Sequence, residues 1–171
     1  MKPGRFLPLA LVLGCAGTWG CGNRWEEEVP LTARSVMEAP DSVELLALLP
    51  YPELSPGAPL PEGIEGPLES FHDYGILGRQ REDEAEAVAQ LMQLVREGIN
   101  ASEGMAALCF NPRHGLRIER AGRVVDLVIC YECLQIRSYG PGEEQEQLLT
   151  SDRVEPAVSS FFRHRGLALH R

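Results

Sequence analysis

Two hydrophobic periods alternate along this chain, and their order predicts its elements. Val43-Glu44-Leu45-Leu46-Ala47-Leu48-Leu49 is short, apolar and bounded by Asp41 and Pro50, which predicts a first strand. One or two helical turns are the alternative there, since Leu and Ala are good helix formers. Phe71-His72-Asp73-Tyr74-Gly75-Ile76-Leu77-Gly78 is aromatic and turn-rich, with a short strand over Tyr74 to Leu77. Ala85, Val88, Leu91, Met92, Val95 and Ile99 then recur at helical spacing and make one apolar stripe, with Asp83 as its cap and Glu84 and Glu86 at its positive end. From Gly104 the pattern changes to strands: Met105 to Phe110, Leu116 to Arg120, Val124 to Cys130, Leu134 to Tyr139 and Gln145 to Thr150. Val154, Ala157, Val158 and Phe161 form a closing amphipathic helix, with Pro156 in its first turn and Gly166 at its end.

Ala121-Gly122 fits a two-residue hairpin turn, and that turn sets a register. Arg117 then faces Asp126, while Leu116, Ile118, Val125, Leu127 and Ile129 share the core face. An ion pair with Arg117 accounts for the one charge in an otherwise apolar strand without invoking a function. Consecutive strands with short turns pair antiparallel, and helices cover one face. The expected class is α+β: an antiparallel sheet of about five strands with two amphipathic helices.

Both periods are weak in two places. Residues 15–40 hold Gly17, Gly20, Gly22, the acidic run Glu26-Glu27-Glu28, Pro30 and Pro40, and read as a flexible tether. Residues 50–67 hold six prolines and three glycines, and read as an extended, partly polyproline-II loop within a single domain spanning 41–171.

The amino terminus carries different information. Lys2 and Arg5 precede an apolar run from Phe6 to Leu13, and Gly14 sits directly before Cys15. A membrane-spanning helix needs ~20 apolar residues, so this run fits a cleaved signal. Val12-Leu13-Gly14-Cys15 resembles the lipobox of bacterial lipoproteins. That resemblance implies a signal peptide over 1–14 and acylation at Cys15. Ala16, rather than Asp, after the cysteine favours the outer over the inner membrane by resemblance to sorted lipoproteins. The formal charge of −9 argues against nucleic acid as a partner and leaves the lipid, not electrostatics, to hold the protein at an anionic surface.

The chemistry-bearing residues of the folded part are Cys109, His114, Cys130 and Cys133. The stretches Cys-Phe-Asn-Pro-Arg-His-Gly (109–115) and Val-Asp-Leu-Val-Ile-Cys-Tyr-Glu-Cys (125–133) resemble an uncharacterised family of small bacterial secreted and lipoprotein domains, over about residues 41 to 166. The resemblance implies one intact domain and carries over no catalytic residue. Four readings of the cysteines stand open: a structural disulfide, suited to an exported chain; a Cys3His zinc site with His114; thiol redox chemistry, which normally places Cys-x-x-Cys at a helix start; and plain burial. Because residues 130 and 133 of a continuous strand point to opposite faces, a metal or a Cys130–Cys133 bridge requires a bend at Tyr131-Glu132. Arg113 and His114 beside Tyr131 and Glu132 make a candidate polar site. No motif identifies a reaction. The expectation is a membrane-anchored lipoprotein acting as a non-enzymatic interaction or accessory domain, with the bilayer and an envelope protein as partners. The alternative is a zinc-binding or thiol-redox protein using Cys109, His114, Cys130 and Cys133.

Overall fold

The computed structural model describes residues 23–50, 68–140 and 145–170. The signal segment, Cys15, Cys21, the proline-rich loop beyond Pro50 and the turn after Gly140 lie outside the described residues.

In chain order the described elements are α1 (Arg24–Glu28), α2 (Leu31–Met37), β1 (Ser42–Leu48), β2 (Ser70–Phe71), β3 (Tyr74–Glu82), α3 (Ala85–Asn100), β4 (His114–Arg120), β5 (Arg123–Cys130), β6 (Gln135–Tyr139), β7 (Glu146–Leu149), a 3-10 turn (Asp152–Val154) and α4 (Glu155–His164). The seven strands form one sheet in the order β2-β3-β1-β4-β5-β6-β7, and neighbours pair antiparallel. The mixed helix-and-sheet class therefore holds, and among the described residues there are seven strands rather than about five and four helices rather than two. The short strand expected at Tyr74–Leu77 runs on to Glu82 because residues 76 and 78–82 pair with β1.

β1 lies inside the sheet between β3 and β4, and both of its faces are covered. Val43, Leu45 and Ala47 join the main core under the helices, while Leu46 and Leu48 join a smaller cluster with Phe71, Tyr74 and Val128 on the opposite face. Burial on both faces is why this segment is continuously apolar instead of alternating. On the helix side Leu116, Ile118, Val125, Leu127 and Ile129 meet Val88, Leu91, Val95, Ile99, Val158 and Phe162. α3 leads from β3 to β4, the two strands that flank β1. Gly98 in α3 is required by contact: a Cβ there would lie 2.6 Å from Thr150 Oγ1 and 2.9 Å from Val154 Cγ2. Asp83 is not the cap of α3. Glu84 holds that position without a side-chain cap, and its N–H donates to the Glu82 carboxylate at 3.0 Å.

Two further expectations are corrected. The tether assigned to 15–40 does not describe residues 23–40, which fold into α1 and α2. Trp25, Val29, Ala33, Val36 and Met37 are buried in the main core. The Trp25 backbone N–H donates to Asn100 Oδ1 at 2.9 Å, and the Arg96 guanidinium sits 5.0 Å from the Trp25 ring centroid. Met105–Phe110 is not a strand. β4 and β5 already have a partner on each side, so no free edge remains beside them for this segment. It passes instead as an irregular chain, with the Ala107 N–H donating to the Cys133 carbonyl at 3.0 Å and the Gln135 amide donating to the Ala107 carbonyl.

Candidate functional site

β4 begins where β5 ends, and α4 packs across that end of the sheet. Together they wall a cleft of about 820 Å³ lined by Asn111, Arg113, His114, Tyr131, Glu132, Asp152, Glu155, Ser159 and Arg163, among others. The structure thus brings together all four residues of the candidate polar site. Arg113 Nη1 lies 3.0 Å from Glu132 Oε2. The His114 side chain points to the helix side, with its ring edge-on to Tyr131 at 5.3 Å and to Phe162 at 5.0 Å.

α4 adds what sequence reading missed. His114 Nε2 is 2.9 Å from Ser159 Oγ, and the Ser159 hydroxyl donates to Glu155 Oε1 at 2.5 Å. The hydroxyl has one proton, and that proton goes to Glu155. Ser159 must then accept from His114, which fixes the tautomer as Nε2–H. An imidazole that donates to a serine is not that serine's general base, so the trio is a hydrogen-bond chain and not a nucleophilic triad. Burial first, then the positive charges of Arg113 and Arg163, push the His114 pKa down to about 3, so the ring is neutral at pH 7. Burial, with the charge of Glu155 as a smaller cause, raises the Tyr131 phenol. Glu155 and Ser159 are four residues apart on one helix face, and that spacing was the available signal.

Comparisons with family models, with curated proteins and with solved structures return no match.

Cys130 and Cys133 bracket two residues of the cleft lining, Tyr131 and Glu132. Cys130 and Cys133 form a disulfide with Cα atoms 5.2 Å apart, inside the ~7 Å limit for a bridge. The bend it needs is present. β5 stops at Cys130, Leu134 adopts φ +57°, and the Leu134 N–H donates back to the Tyr131 carbonyl at 3.2 Å. Tyr131 and Glu132 ride on the turn that the disulfide closes. Cys109 is a free, exposed thiol, and its Sγ lies 3.6 Å from Cys133 Sγ. His114 faces Ser159 rather than these sulfurs, so the structure does not assemble the Cys3His set. Among the described residues no group of three or more His, Cys, Asp and Glu is placed to hold a metal.

The opposite face of the sheet holds the other charged cluster. The two-residue turn puts Arg117 opposite Asp126. Arg117 Nε and Nη2 donate to the two carboxylate oxygens, each at 3.0 Å. His72, held at φ +47° in the turn between β2 and β3, brings Nε2 to 2.9 Å from Asp126 Oδ2 and stacks on Tyr139 at 3.6 Å. Burial raises the Asp126 pKa, but the hydrogen bonds of His72 and Arg117 outweigh it and the net shift is downward. His72 and Asp126 are 54 positions apart, so no local spacing links them.

Proposed function

We propose that this protein is a lipid-anchored accessory domain of the bacterial cell envelope that binds a small polar ligand in the cleft beside α4, without turning it over. The observation that carries the reading is the lining of that cleft. Arg113 and Arg163 share it with Glu132, Asp152 and Glu155, while Tyr131 and the flank of Pro156 supply apolar surface. Concave sites with a few convergent polar groups on an apolar wall are the usual form of a ligand site. Two signs of charge on one wall suit a ligand that carries both, such as the zwitterionic end of a short peptide. Of the groups able to do acid–base or nucleophilic work, His114 and Ser159 are committed to each other and to Glu155. The reading places the domain at a membrane surface through acylated Cys15, with the outer membrane favoured. The resemblance of residues 109–115 and 125–133 to secreted and lipoprotein domains supports that setting.

Titration of the isotope-labelled full chain with a zwitterionic tripeptide, followed by two-dimensional NMR, tests the cleft. Amide shifts are expected at Arg113, Tyr131, Glu132 and Arg163, with loss of those shifts in Arg163→Glu. Shifts scattered over the surface, or equal shifts in the variant, defeat the reading.

A further inference from the structure

Cys130 and Cys133 are 1% and 0% exposed, so an external thiol has no path to either sulfur of their disulfide. Cys109 is exposed, and its Sγ stands 3.6 Å from Cys133 Sγ, close to the separation of a near-attack pair. Two backbone donors address the disulfide. The Asn111 N–H points at Cys133 Sγ from 3.3 Å, and the Cys133 N–H points at Cys130 Sγ from 3.2 Å. The second is aimed at the sulfur that would leave as thiolate, where a fixed N–H stabilises developing negative charge.

We propose that Cys109, Cys133 and Cys130 form a thiol–disulfide exchange site through which small external thiols reach a buried disulfide. The Cys109 thiolate attacks Cys133 Sγ. The Cys109–Cys133 bond forms, the Cys130–Cys133 bond breaks, and its electron pair leaves on Cys130 Sγ, which takes up the proton that Cys109 gave to solvent. This step is an isomerisation with no net oxidation. It moves one end of the disulfide from a buried sulfur to an exposed one. A small thiol then attacks Cys109 Sγ, forming a mixed disulfide there and releasing the Cys133 thiolate. A second molecule of the same thiol attacks the mixed disulfide. The external pair leaves oxidised to its disulfide, and the three protein cysteines are left reduced. The turn carrying Tyr131 and Glu132 is thereby opened, yet the proposal stands on the sulfur geometry and is independent of what the cleft binds.

The test uses the folded full chain exposed to reduced glutathione. Aliquots are acid-quenched, unfolded and capped with N-ethylmaleimide at mildly acidic pH, then digested with trypsin. Cleavage at Arg113, Arg117, Arg120 and Arg123 separates the peptide of Cys109 from the one that holds both Cys130 and Cys133. Before glutathione is added, some molecules are expected to show the Cys109 peptide joined to Cys133, with the cap on Cys130. In glutathione the Cys130–Cys133 bond is expected to disappear in a fast phase that Cys109→Ser loses. Cys130→Ser is expected to be isolated with Cys109 and Cys133 joined. Equal loss of the bond in wild type and Cys109→Ser, a cap found only on Cys109, or two free thiols in Cys130→Ser would each overturn the proposal.

Discussion

Burial against Tyr131 and Phe162, with Arg113 and Arg163 nearby, holds the His114 imidazole neutral and its pKa at about 3, against 6.5 for a free side chain. The folded value is the lower one, so between those limits the unfolded chain binds a proton that the folded chain refuses. The stability tied to this group is complete above pH 6.5 and drains away as the pH falls toward 3. The loss is about 2 kcal/mol by pH 5 and on the order of 4 kcal/mol by pH 3. Urea unfolding of wild type and His114→Gln across pH 7 to 4 measures it. The glutamine amide keeps a donor for Ser159 but has nothing to protonate, so the wild-type advantage is expected to shrink as the pH falls; parallel curves would refute the assignment. Asp126 makes the contrasting case. It is also buried, yet Arg117 and His72 satisfy it as a carboxylate, and it stays charged. Of these groups only the Arg117–Asp126 pair could be read from local sequence, because a two-residue turn fixes which strand positions face each other. The partners of His114 and the second partner of Asp126 come from elements 45 and 54 positions away, and no periodicity encodes them.

α3 and α4 were legible because each buries a single apolar stripe, and the β4–β5 hairpin because its two-residue turn sets the register, although Val128 is buried on the second face as well. α1 and α2 were hidden by averaging. Residues 15–40 mix a glycine-rich part with a periodic part, and the acidic run Glu26–Glu28 on the outer side of α1 masks the stripe Trp25, Val29, Ala33, Val36 and Met37. Met105–Phe110 failed the other way: it is an apolar run, but β4, the strand that follows it, and β5 are already paired on both sides. The Trp25 side chain is 1% exposed, lies in the main core and carries the Arg96 guanidinium of α3 against its ring. Trp25→Ala is therefore expected to cost about 3–5 kcal/mol of folding stability, the range for emptying a buried aromatic site. A change under about 0.5 kcal/mol in the unfolding free energy from urea titration, as for an exposed substitution, would mean that α1 is not part of the folded unit.

At the scale of the whole molecule the four polar-site residues were legible as a group because Arg113 and His114, at the start of β4, and the turn 131–134 after β5 sit at neighbouring strand ends. The wall opposite them was not, because α4 reaches the cleft only through tertiary packing. The folded part also bears on the proposed attachment to a membrane. Trp25 lies in the core and is not available to headgroups. No helix among the described residues is long and apolar enough to cross a bilayer. The chain carries a net charge of −9, which anionic headgroups repel. Attachment in the proposed reading rests on acyl chains at Cys15, where each buried methylene contributes ~0.8 kcal/mol and more than one chain makes the hold stable. Cys15→Ala removes the acceptor thiol and leaves the described domain untouched. The variant is expected to move from the membrane fraction to the soluble fraction, and its intact mass should lack the lipid increment of wild type. Folding measured by urea unfolding should be the same for both. A variant that still sediments with membranes, together with a wild-type mass that shows no lipid, would rule out the anchor and leave the domain's location to be explained by a protein partner.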